Sequence, residues 1–166
     1  QTLELAHVRD AGHTVSCQKG CAACCRMLVP ISAPEAFALA KSIDRLAPPE
    51  RERLLSKIDV AQQRLARAGI LQQLSALAES SDPISDEAIE PLNRAYYALR
   101  MPCPFLDNEA CSIYDDRPAA CRELAVTSPA ADCQDMTNET IRPVPVAVRI
   151  STALSLLWAD LTATTP

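Results

Sequence analysis

The pattern of apolar and polar positions predicts a chain built mostly from helices. Residues 1–16 form a mixed leader without a clear period. Met27-Leu28-Val29-Pro30-Ile31 is an apolar run too short for a helix and reads as extended. Ser32-Ala33-Pro34-Glu35 has the form of a capping box, with Ser32 at the N-cap and Glu35 three residues on. The helix it opens is expected to reach about Leu46, with Ala36, Leu39, Ala40 and Ile43 facing inward. Pro48 and Pro49 end that helix and start another, whose apolar stripe is Leu54, Ile58, Ala61 and Leu65. Gly69 breaks it before Ile70, Leu71, Leu74 and Leu77.

Residues 79–86 are loop by composition. Ile89, Leu92, Tyr96 and Leu99 then recur at helical spacing, with Pro91 tolerable only in a first turn. Cys103-Pro104-Phe105-Leu106 and Cys111-Ser112-Ile113-Tyr114 flank the polar Asp107-Asn108-Glu109-Ala110, which predicts a small hairpin over about 103–114. A helix beginning near Pro118 carries Cys121 and Arg122, and Cys133 falls in a polar loop. A last helix is expected to bury Ile150, Leu154, Leu157 and Leu161, with Trp158 beside them. The fold class is therefore mainly α: a single domain over 1–166 with one small β-hairpin and a helical insertion at about 33–100.

Composition narrows the partners. The chain of 166 residues is 48% hydrophobic but only 4% aromatic, so its core should be aliphatic. A net charge of −5 and a pI of about 5.0 argue against nucleic acid and against an anionic membrane surface. No membrane span is expected, since Val144 to Leu161 is interrupted by Arg149 and Asp160. The N-terminus shows neither a signal peptide nor an initiator Met, which leaves room for residues upstream. Cytoplasmic localisation is the expectation. No protein partner is specified.

Cysteine changes the picture most. Four of the eight cysteines fall in Cys17-Gln18-Lys19-Gly20-Cys21-Ala22-Ala23-Cys24-Cys25, spaced C-x3-C-x2-C-C. If the stretch is helical, the four side chains lie at roughly 0°, 40°, −20° and 80°, on about a third of the circumference. Gly20 opens the alternative, a loop folded around a centre. His13, four residues before Cys17, would share that helical face, but packing or exposure is the commoner role for such a residue. The competing reading is a secreted, disulfide-stapled domain with 105 possible pairings. Against it, a helical domain of this size needs no staples, and Met27 to Pro102 contains no cysteine.

Clustered thiols suit metals that prefer thiolate. Zinc takes four sulfurs tetrahedrally at about 2.3 Å, and iron–sulfur clusters are also held by four cysteines in the common cases. Eight cysteines allow two four-ligand sites, one site with spare thiols, or a polynuclear centre. Cys24 and Cys25 are adjacent, so their side chains should diverge, and either they serve different metals or one of them stands just outside the ligand shell. A zinc ribbon would show two C-x2-C knuckles, and only Cys21–Cys24 has that spacing. Four thiolates on a divalent ion leave a charge of −2, which Arg26 and Arg122, each directly after a cysteine, are placed to offset.

The combination of C-x3-C-x2-C-C at 17–25, C-P-F-L at 103–106, C-x-I-Y-x-x-R-P-x-x-C-R at 111–122 and a cysteine at 133 resembles the YkgJ-like cysteine-cluster family of zinc- or iron-chelating domains. The resemblance spans about 17–133. It implies metal binding by Cys17, Cys21, Cys24, Cys25, Cys103, Cys111, Cys121 and Cys133, with an iron–sulfur cluster or zinc as cofactor. A relative with this signature, the flagellin lysine methylase, resembles an iron–sulfur enzyme. This chain lacks a convincing glycine-rich methyl-donor motif, so that activity does not carry over. The leading expectation is a non-enzymatic metal-centre protein, iron–sulfur first and zinc second, with folding coupled to metal. The alternatives are a cluster-dependent enzyme of redox or methyl-transfer chemistry, and a copper storage or carrier protein. The two cysteine groups are expected to converge in space.

Overall fold

A computed structural model describes residues 6, 8–18, 20–79, 85–135 and 139–163. His7, Lys19 and most of the 79–86 loop lie outside the described residues. The chain is mainly helical with one two-stranded hairpin, as the periodicity implies. Helices α1 (Ala33–Asp44), α2 (Pro48–Arg67), α3 (Ile70–Glu79), α4 (Asp86–Ala98), α5 (Ala119–Glu123) and α6 (Ile150–Ala163) follow in order, with short 3-10 turns at Ala23–Arg26, Tyr114–Asp116 and Ala130–Gln134.

Residues group into two compact units: one of 1–24, 29–45 and 107–166, the other of 25–28 and 46–106. In the second unit α2 packs on α3 and α3 on α4. Pro48 and Pro49 open α2 where their missing N–H groups cost nothing. Gly69 adopts φ +69° and separates α2 from α3. The core of the unit is Leu54, Ile70, Leu92, Tyr97 and Met101. The stripes predicted for α2, α3 and α4 are the buried or half-buried faces.

One expectation about α4 is corrected. Ser85 caps it, its hydroxyl accepting from Ala88 N–H at 3.2 Å. That start places Pro91 beyond the first turn, where its lack of an N–H leaves the Glu87 carbonyl without the usual i+4 donor.

In the first unit the capping box forms as read. Ser32 N–H and its hydroxyl donate to Glu35 Oε2 at 3.0 and 2.7 Å. Helix α1 stops at Asp44, slightly short of Leu46, and Ala36 and Ala40 are exposed while Leu39 and Ile43 are half-buried. Three extended segments form the centre of this unit. Ser16 N–H donates to Val126 O at 2.9 Å, Val144 N–H to Ala125 O at 2.8 Å and Thr127 N–H to Arg142 O at 2.9 Å. Val126, in the middle segment, is 1% exposed.

Helix α6 packs on α1 and α5, and Phe37 and Trp158 meet with ring centroids 5.7 Å apart. The buried stripe expected of α6 is not what the structure shows. Ile150, Leu157 and Leu161 are more than half exposed, and only Leu154 of the four is half-buried. The register is set instead by Glu123, whose carboxylate accepts from Ser151 N–H at 3.0 Å and Ser151 Oγ at 2.6 Å. That contact turns the face of Ser151 and Leu154 inward.

The hairpin pairs β1 (Leu106–Asp107) with β2 (Ala110–Cys111) across Asn108 and Glu109, both at positive φ (48° and 59°). Two positive φ values in a two-residue loop make a type I′ turn. Glutamate holds that conformation at a cost, so Glu109→Gly is expected to stabilise the protein by about 0.5–1 kcal/mol. A higher urea midpoint with an unchanged slope would show it.

Candidate metal centre

The stretch from Cys17 to Cys25 is a loop, not a continuous helix. Gly20 takes φ +93°, Cys21 N–H closes a turn on Gln18 O at 3.0 Å, and helical geometry resumes only at Ala23. Of the two geometries open to the sequence, the glycine selects the folded-back one. The loop is anchored beside Cys17. Ser16 pairs with Val126, and Val126 N–H donates to Cys17 Sγ at 3.4 Å.

This anchoring brings distant thiols together. Burial pushes the Cys17 thiol above its ordinary pKa; the Val126 N–H and Arg117 oppose that shift, and the Cys21 and Cys24 thiols add to it. Cys133 is pushed up by burial and then by Cys17, Cys21, Cys24 and Asp132. Burial is the larger cause of both shifts, and the neighbouring thiols add to it. Cys133, from the second cysteine group, lies in the same unit as Cys17, Cys21 and Cys24 from the first, near enough for their charges to act on it. The raised Cys17 and Cys133 thiols hold their protons more tightly than a free cysteine, and a metal must displace them.

The remaining cysteines are placed as follows. Cys111 ends β2 and Cys121 lies in α5, both in the first unit. Cys25 and Cys103 belong to the second, where Cys103 N–H donates to Cys25 O at 2.7 Å. All eight cysteines are half-buried except Cys17, which is exposed as a whole residue, and no disulfide joins them. Among the described residues no three His, Cys, Asp or Glu side chains are arranged so that they could hold a metal ion. His13 is exposed, and its backbone N–H donates to Val8 O at 3.0 Å.

One cation that acts on a thiol is not among those the sequence pattern singled out. Arg117 lowers the Cys17 thiol pKa. Its guanidinium lies 3.9 Å above the Tyr114 ring, and its Nε donates to Tyr114 O at 3.0 Å. Arg122 instead braces the backbone, donating to Arg117 O at 2.8 Å and to Asp115 O. The R-P pair within C-x-I-Y-x-x-R-P-x-x-C-R carried this signal, and Tyr114 is the aromatic that holds the arginine.

Helix α5, with Cys121, is positioned from outside. Glu35 Oε1 accepts from Ala119 N–H at 2.7 Å, so one carboxylate serves the first turns of both α1 and α5. Burial raises the Glu35 pKa, but the hydrogen bonds from Ala119 and Ser32 outweigh it and hold the group below its ordinary value. A carboxyl with a depressed folded pKa contributes stability above its unfolded pKa and loses it as pH falls through the folded value. Glu35→Gln is expected to cost about 1–2 kcal/mol at pH 7, with the difference from wild type vanishing in acid. Denaturation midpoints at pH 7 and pH 3 measure this; an equal deficit at both would contradict it.

The donor set fits zinc or iron. Thiolate is a donor that both metals take, and Arg117 acts on the Cys17 thiol with the sign that reduces accumulated negative charge. No curated protein and no solved structure matches the chain. The sequence pattern of one family matches residues 16–143, a range whose ends, Ser16 and Pro143, both lie in the extended segments that flank Val126. With that match over most of its length, the chain belongs to the CxxCxxCC family and carries its zinc- or iron-chelating domain.

Proposed function

We propose that this protein is a thiolate metal-centre protein whose native centre is an iron–sulfur cluster, with zinc the nearest alternative. All eight cysteines are its ligands, and Cys17, Cys21, Cys24 and Cys133 are the first set to be filled. The observation that supports this is the Val126 N–H bond to Cys17 Sγ at 3.4 Å, which ties the first cysteine loop to the segment between Cys121 and Cys133. Eight cysteines without paired zinc-ribbon knuckles favour the cluster. Bound, a cluster supplies electron transfer, whereas zinc supplies a cross-link.

The chain's own part is to supply the Val126 N–H to Cys17 Sγ and to set Arg117 against the charge. The role proposed is that of a structural, sensing or carrier module. The domain is expected to act as one unit over 1–166.

Purification without oxygen, followed by assay of iron, acid-labile sulfide and zinc, tests the choice of metal. Iron and sulfide in comparable amounts with a visible absorption band are expected. Colourless protein with stoichiometric zinc and no sulfide would give the site to zinc.

A further inference from the structure

We infer that the cavity between α2 and the Met101–Leu106 segment binds a short aliphatic dicarboxylate. The cavity has a volume of about 240 Å³ and lies wholly within the second unit. One wall is a single face of α2: Lys57, Val60, Ala61 and Arg64, at i, i+3, i+4 and i+7. Facing it are Met101, Pro104 and other apolar positions, with the Cys103 thiol in the same wall.

Charge identifies the occupant. Two cations line the cavity, and among the described residues no aspartate or glutamate does. Seven residues separate them along α2, a rise of about 10 Å. Each is oriented by a backbone carbonyl of the facing segment or the turn before it: Lys57 Nζ donates to Leu106 O at 3.0 Å and Arg64 Nη2 to Leu99 O at 2.8 Å. The arginine bond uses one of five guanidinium donors. Between the cations the surface is apolar, formed by Val60, Ala61 and Met101. Cationic ends with an apolar middle match a molecule with two carboxylates and a few methylenes between them. The volume, below the range usual for drug-sized ligands, limits it to a small one. The inference does not rest on the metal reading, since none of its recognition groups is a metal ligand.

The test is titration of the full-length protein with adipate, followed by calorimetry and by backbone amide shifts. Adipate is expected to perturb residues 57–64 and 101–106 and to bind at least about tenfold more tightly than 1,6-hexanediol or sulfate. Val60→Trp fills the cavity from a position already 52% exposed, so it should fold normally and abolish binding. Lys57→Met and Arg64→Met should each weaken adipate about tenfold. Equal affinity for hexanediol or sulfate, undiminished binding in folded Val60→Trp, or no binding at millimolar adipate would each overturn the inference.

Discussion

Cys21→Ser is expected to empty the metal centre and lower the melting temperature together. Metal binding in thiolate sites contributes about 10–16 kcal/mol to folding, so losing one of four ligands should cost on the order of 3 kcal/mol. Cys21 has a small direct packing role: it is half-buried in a loop, and serine has nearly its shape. A stability loss of that size must therefore come from the metal. The check is metal content by elemental analysis beside a melting curve. The loss should disappear when wild type and variant are compared after chelation. Unchanged metal content and melting temperature would sink the coupling of folding to metal.

Val126→Asp should be more disruptive still, with a loss of more than about 4 kcal/mol. Val126 is 1% exposed, and its backbone joins three segments: its carbonyl takes Ser16 N–H, its N–H reaches Cys17 Sγ, and it bridges to Pro143. A carboxylate there has no water and no space. The milder Val126→Ala removes only methyl groups and should cost about 1–3 kcal/mol while keeping the backbone bonds. Bound metal should follow the same order: wild type, then alanine, then aspartate. Full metal loading in the aspartate variant would show that the central segment is not what holds the Cys17 loop in place.

What could be read from sequence was local. Ser32 and Glu35 are three residues apart, Pro48-Pro49 and Gly69 act on their own backbone, and the Asn108-Glu109 turn joins its own two strands. Each signal lies within a few residues of its effect. The cysteine spacing was legible for a different reason: thiols are scarce, and four in nine residues have few uses other than metal.

What escaped is long-range. Glu35 caps α5 across 84 residues, and Glu123 caps α6 across 28. Neither pair leaves a mark at fixed spacing. The extended segments around Val126 pair through one or two backbone bonds each, too few to impose a strand's alternation on the sequence. Helix α6 misled because it has one charged residue, Asp160, so its apolar positions fall on several faces. Periodicity alone did not identify the covered face; the Glu123–Ser151 contact did.

The central claim is that the metal sits in sulfur alone. X-ray absorption of the anaerobically purified protein tests it most directly, because the method reads the atoms bound to the metal. The account predicts a first shell of four sulfurs at about 2.3 Å, whether the metal is iron or zinc. A shell dominated by nitrogen or oxygen at about 2.0–2.1 Å would contradict it.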